Sequence, residues 1–358
     1  MMEGKIPENI LKRSVLGEIK NKRDDVITGA SFGKDCAVLN YSDTISDGTE
    51  KNKEQCTVSV SVSQGEGSLG SKIALKKAFN NLYAGGYRPA FAALSVTISE
   101  DFEESSLKEL MRELNRTASE EGVDIVSGQT SVSRLLKTGQ ESEVSDEENV
   151  SEPGNCIVGI TALGKRSNPA FEAKNTSKAS AKAGNGIVAT KWIGIEGSLI
   201  LLNEKKNEIE NRFSDSFLDH FKVYDEYLSV GKEAEEALLS GTVLMKDVSE
   251  HGIFGALWEL SKQTGFGLKA DLKKIPVRQE VIELCNLFDI NPYEMKSSGM
   301  LLIVCEDAEA VVNDLENIGI NASVIGELTS DNDKIVINGE EKRYLDIIKQ
   351  DSVYKINV

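Results

Sequence analysis

The chain has 358 residues, enough for about two domains of roughly 150 residues each. Hydrophobic residues make up 40% and charged residues 28%, with 30 Gly and 6 Pro, which excludes a disordered or collagen-like chain. Lys plus Arg number 41 against 58 Asp plus Glu, a formal charge of -17, so the surface on average repels nucleic acid and anionic membrane, and any bound phosphate must meet a local positive site.

The amino terminus, MMEGKIPENILKRS, has no apolar core, and no later run approaches about 18 apolar residues. Neither export nor membrane insertion is expected, and a cytoplasmic location follows. The cysteines, Cys36, Cys56, Cys156, Cys285 and Cys305, form no C-x-x-C pair, and only His220 and His251 could help complete a zinc site. Reduced, mostly buried thiols are expected.

In chain order, Thr57 to Val62 alternates hydroxyl and valine side chains, the period of two of a half-buried strand. A helix is predicted from Ser71 to Tyr83, stopped by Gly85 and Gly86. Pro89 to Val96 reads as a strand. Ser106 and Glu109 make a capping box for a helix with Leu107, Leu110, Met111, Leu114 and Ala118 on one face, ended by Gly122 before the strand Val123 to Val126. The polar stretches Tyr41 to Gln55 and Gly139 to Pro153 read as loops, and Asn168 to Asn185, rich in Ala, Lys, Ser and Asn, as a linker. This divides the chain into domains 1–167 and 168–358.

The second half gives a strand Ile187 to Thr190, helices Glu226 to Leu239 and Gly252 to Thr264, and a buried strand Met300 to Cys305. An Asp307-capped helix follows, ended by Gly319 before the strand Ala322 to Ile325. Each half closes with an amphipathic helix, a glycine and a short apolar strand, the pattern of two domains of related design.

No G-x-x-x-x-G-K-[ST] string is present, so an ordinary P-loop nucleotide fold is not indicated. Eight strings run in an order that resembles the AIR synthetase superfamily, and within it the HypE family of hydrogenase-maturation proteins. They are GKIPENILKRSVL, FGKDCAVL (Phe32 to Leu39), KIALKKAFNNLYAGGYRP (Lys72 to Pro89), VDIVSGQTSV (Val123 to Val132), TKWIGIEGSLIL (Thr190 to Leu201), LMKDVSEHGIFGALWEL (Leu244 to Leu260), KIPVRQEV (Lys274 to Val281) and SGMLLIV (Ser298 to Val304).

The resemblance implies a mixed α/β (α+β) fold in two domains, with amino-terminal strands forming a dimeric β-barrel flanked by helices. It implies a homodimer, an ATP and magnesium cleft between domains, and transfer of the γ-phosphoryl group to an amide or carboxamide oxygen. It also implies a partner maturation protein, but no nucleic-acid or membrane partner. Carried onto this chain, the nucleotide-binding positions are Lys34, Lys72, Asn80, Asn81, Gly128, Thr130, Lys191 and Glu196, and the metal positions are Asp35 and Asp247.

The chain departs from the family at several acids. Lys34 stands where a second aspartate is expected, Asn81 where an aspartate is, Ser131 and Ser298 where glutamates are, and Ser63 or Gln64 at the end of a strand. Neutral oxygens bind hard cations more weakly, and lysines at 34, 72, 191 and 246 could supply positive charge instead. The HypE family would also end in a cysteine, whereas this chain ends Tyr354, Lys355, Ile356, Asn357, Val358.

Two functional readings stay open: an ATP-dependent enzyme, or a catalytically inactive relative that binds a nucleotide or other phosphate ligand as a regulatory or maturation partner. Plainer roles are open too. Asp35 and Asp247 could be caps, Asn80 and Asn81 local backbone anchors, the lysines solvated, and His251 a helix-start residue rather than an acid-base group.

Overall fold

The computed structural model describes residues 5–20, 23–40, 55–63, 67–136, 155–166 and 181–357. The loop Gly139 to Pro153, most of Tyr41 to Gln55, and the expected boundary at 167/168 lie outside these residues.

Two sheets carry the fold. The first comprises β1 (Val26–Thr28), β2 (Ala37–Asn40), β3 (Gln55–Val62), β4 (Tyr87–Ile98), β5 (Asp124–Val132) and β6 (Cys156–Arg166), ordered β1-β2-β3-β6-β4-β5. Its neighbours are antiparallel except β4 and β5, which run parallel. A parallel pair needs a long crossover, here α2 (Glu104–Glu120), while α1 (Gly67–Ala84) joins β3 to β4.

The second sheet comprises β7 (Gly186–Thr190), β8 (Thr242–Val248), β9 (Gly267–Asp271), β10 (Met300–Cys305), β11 (Ala322–Thr329), β12 (Lys334–Asn338) and β13 (Glu341–Tyr344), ordered β13-β12-β9-β11-β7-β10-β8. Its longer helices are α3 (Ile195–Glu204), α4 (Gly231–Leu239), α5 (Gly252–Thr264), α6 (Gln279–Leu287) and α7 (Ala308–Asn317).

Burial explains the layering. Every residue of β8 and β10 is buried, so both faces of the second sheet must be covered. Met245, Leu301 and Ile303 join one core with Ala234 of α4, Val311 and Leu315 of α7, and Leu75 and Phe79 of α1. Leu244, Leu302 and Val304 face the other way, onto Ile253, Leu257 and Leu260 of α5. α1 therefore lies between the two sheets, buried along most of its length, which is why it shows little amphipathic contrast in the sequence.

The strand at Thr57 to Val62 turns its small hydroxyls inward. Thr57 and Ser59 are buried, and Ser59 Oγ accepts from Asn81 Nδ2 of α1 at 3.0 Å, while Val60 and Val62 are 64% and 53% exposed. Val126 and Val132 of β5 and Ile157 of β6 are also exposed.

Several expected boundaries move. α1 begins at Gly67, four residues before Ser71, and the strand expected to end at Val126 runs on to Val132 because it pairs with β4 as far as Ile98. Glu103 precedes the first turn of α2 where a Ser106 capping box was expected, and the Glu103 side chain accepts from Ser105 Oγ. The helix predicted over Glu226 to Leu239 divides into a 3₁₀ turn at Tyr224–Tyr227 and α4, because Asn80 of α1 pulls the chain aside: its Nδ2 donates to Leu228 O (2.8 Å) and its Oδ1 accepts from Val230 N (3.1 Å). Asp307 caps α7 as expected, accepting from Ala310 N at 3.0 Å. All the cysteines are free, with Cys156, Cys285 and Cys305 buried.

Candidate active site

A cavity of about 380 Å³ lies where the first sheet, α1 and the second sheet meet. The loop between β1 and β2 contributes Ser31 to Asp35, β3 and its end contribute Val60 to Ser63, and α1 contributes Lys77 and Asn81. From the second half come Glu196 of α3, Lys246 of β8, Ser249 and Glu250 just beyond it, Glu259 of α5, and Lys296. Gly33 makes the loop turn with a positive φ of 80°, a conformation glycine adopts without steric cost.

The lining is rich in opposed charge. Lys5, Lys34, Lys77, Lys246 and Lys296 face Asp35, Glu196, Glu250 and Glu259. At its floor the Lys246 ammonium donates to Asp35 Oδ1 and lies 2.9 Å from Glu259 Oε2, while Lys5 pairs with the other oxygen of Glu259.

Burial opposes the charge on Lys246, yet Asp35 and Glu259 outweigh it and raise its pKa. Burial likewise opposes charge on Glu259, but Lys246 and Lys5 draw its carboxyl down to about 2. For Asp35, burial prevails over the pull of Lys246 and pushes the carboxyl up. On the opposite side, Lys77 sits 3.7 Å from Glu196, and its pKa is raised by Glu196 and Glu250 against the effect of burial. Glu250 is held below the usual carboxylate range, with Lys77 and Lys296 overcoming burial.

Successive strand residues point to opposite faces, so Asp247 turns away from Lys246 toward the side on which α1 packs. Both its carboxylate oxygens are buried without a hydrogen-bond partner, and burial, reinforced by Asp35, pushes its pKa up to about 8.

The candidate residues from the sequence are thus sorted. Lys34, Asp35, Asn81 and Glu196 line the cavity together. Lys72 is held at the outer side of α1 by Asp225 and by Glu113 (3.2 Å). Lys191, buried with a positive φ of 54°, is 2.6 Å from Glu233 and donates to the carbonyls of Tyr227 and Ser229. Asn80 serves the backbone of residues 228–230 as described. Gly128 lies on β5, where an added Cβ would come within 2.7 Å of Leu94 O, so close strand packing accounts for the glycine; Thr130 is on the same exposed strand. His251 is an αL residue before α5 whose N–H donates to Asp351 Oδ2 at 2.6 Å.

Asp35 and Asp247 do not form a ligand set for magnesium. Asp35 is occupied by the Lys246 ammonium, Asp247 lies on the other face of β8, toward α1, and among the described residues no group of three or more His, Cys, Asp or Glu is placed to hold a metal ion. Lys77, Glu250, Glu259 and Lys296 were not singled out in the sequence as site residues. The signal available was the SEHG string for Glu250; Glu259 reads simply as a helix residue, and only the fold brings it to Lys246.

Residues 33–165 match the amino-terminal domain and residues 182–338 the carboxy-terminal domain of AIR synthase related proteins. The chain belongs to the AIR synthase-related family. Within that family it is HypE-like. A putative hydrogenase expression/formation protein of Methanocaldococcus jannaschii is 25% identical over 275 residues, spanning 76% of this chain and 73% of that protein. The carbamoyl dehydratase HypE of Cupriavidus necator is 26% identical over 270 residues, spanning 74% of this chain and 69% of that protein. Among solved structures, HypE in the HypE-HypF complex superposes with a TM-score of 0.68 at 18% identity, covering 95% of this chain and 99% of that one. HypE in complex with ATP gives 0.67 at 17%, covering 87% and 90%. The two-sheet mixed α/β architecture of this AIR synthase-related chain is thus that of the HypE structures. Among the described residues no helix is long and apolar enough to cross a membrane.

Proposed function

We propose that this HypE-like chain is an ATP-dependent enzyme that activates an amide or carboxamide oxygen by phosphorylation. The observation carrying this reading is the cavity lined by five lysines, Lys5, Lys34, Lys77, Lys246 and Lys296, in a chain of formal charge -17, lying between the sheets of a family that includes a HypE structure solved with ATP. Lys34, Lys77, Lys246 and Lys296 meet the phosphates, and Asn81 and Glu196 supply polar contacts.

In the reaction, the carboxamide oxygen bonds to the γ-phosphorus, the bond to the β–γ bridging oxygen breaks, and ADP leaves. Loss of the nitrogen protons and then of inorganic phosphate completes a net dehydration to a nitrile, the class of step named by the carbamoyl dehydratase relatives. Rate enhancement comes from fixing the two reactants together and from ammonium groups aimed at the developing phosphoryl charge. Because Asp35 and Asp247 do not suit magnesium, no step is assigned to a metal.

The same reading includes a homodimer through the first sheet, supported by Val60 and Val62 of β3 and Ile157 of β6, exposed on one face of that sheet, and a protein partner of the kind seen in the HypE-HypF complex. Domains 1–167 and 168–358 are its two halves.

The test is ADP release on mixing the protein with ATP and a carbamoyl compound, with the nitrile product followed by mass spectrometry. ADP release that requires the carboxamide is expected. ATP bound but never turned over in its presence would sink the enzyme reading.

A further inference from the structure

We propose that Lys246 is the resident cation of this cleft: its ammonium occupies the position between Asp35 and Glu259 that a divalent metal would need, so a phosphate ligand is held there without such a metal. This rests on phosphate binding at the cavity, and it concerns how that binding is achieved.

The geometry carries it. Asp35 comes from the loop between β1 and β2, Glu259 from α5 and Lys246 from β8, so three separate elements converge on one ammonium. Lys5 pairs with Glu259 as well, leaving two carboxylates balanced by two ammonium groups. A divalent ion entering this balanced cluster would meet buried positive charge, and it could reach the oxygens only by displacing Lys246 into a poorly solvated space.

Hard cations also require about six oxygen ligands, and the neighbouring Asp247 faces the other side of the strand. An ammonium has three N–H donors. Asp35 and Glu259 take two on Lys246, and among the described residues no other group takes the third, which is left for a phosphate oxygen in the cavity that Lys246 lines.

Two measurements on the full chain test this. Electron paramagnetic resonance with Mn2+ as the probe, in the absence of nucleotide, is expected to show only the aqueous ion. Bound Mn2+ that is lost on Asp35→Asn would overturn the proposal. Calorimetry with ATP is expected to give dissociation constants in EDTA and in magnesium that agree within about twofold; binding found only with magnesium, or in neither medium, overturns it.

A third arm uses Lys246→Ser, its fold checked by circular dichroism. ATP affinity in EDTA should fall roughly tenfold or more. A folded variant that keeps wild-type ATP affinity in EDTA refutes the proposal. ATP bound in EDTA but never hydrolysed with any carboxamide would instead reject the enzymatic reading and leave the role of Lys246 intact.

Discussion

Lys246 and Asp35 are 211 positions apart in sequence, and their side chains form a hydrogen-bonded ion pair at the floor of the cavity. Removing one member of a buried pair leaves the other's charge uncompensated, at about 3–5 kcal/mol. Lys246→Met should therefore lower stability by about that amount in urea denaturation, and adding Asp35→Asn should restore part of it. Purely additive losses would show that the two side chains do not interact.

Asp247 gives a pH signature. Its carboxyl, ordinarily near 3.8, is pushed up to about 8 by burial and by the Asp35 charge. Between those values the folded chain keeps a proton on Asp247 that the unfolded chain releases, so this residue's contribution to stability declines as pH rises and levels off above the folded value. Asp247→Asn removes the ionisable group. Its melting temperature should gain on the wild type progressively from pH 5 to pH 8, by at most about 1.4 kcal/mol per pH unit in free energy. A difference that stays flat with pH would place Asp247 in a solvated setting.

Lys191 provides a contrast with the cavity lysines. Its ammonium is buried against Glu233 and two carbonyls, so Lys191→Met should cost about 3 kcal/mol or more in denaturant melts. ATP affinity of the folded variant should match the wild type. A selective loss of nucleotide binding would return Lys191 to the site.

The outward valines make a fourth test. Val60→Asp combined with Val62→Asp puts charge on the exposed face of the first sheet, where both side chains are more than half exposed. Little change in the melting temperature of the isolated fold is expected, since neither side chain is packed in the core. Sedimentation should shift from dimer to monomer, and an unchanged sedimentation coefficient would remove that face from the interface.

The fold was legible where one residue type carries the signal. The Asp307 cap and the buried apolar run at Met300–Cys305 both take the form their residues indicate. The division of the Glu226 to Leu239 helix was hidden because its cause, the Asn80 side chain, lies on another helix.

For the site, the Lys34-Asp35 pair and Asn81 were legible through their strings, and they line the cavity. Lys72 and Lys191 are equally basic in sequence but meet buried or half-buried carboxylates elsewhere, and charge type alone does not reveal which partner a lysine will find. The inward serines of β3 escaped for a similar reason: alternation gives the two faces of a strand, while the tight approach of α1 decides which is covered.

The floor of the cavity is also a latch. Asp35 belongs to the first sheet's half, Lys246 and Glu259 to the second, and α1 shares its apolar core with both. Prying the halves apart would strand opposite charges in each and tear a common interior, so heating should melt both halves in a single calorimetric transition rather than one after the other.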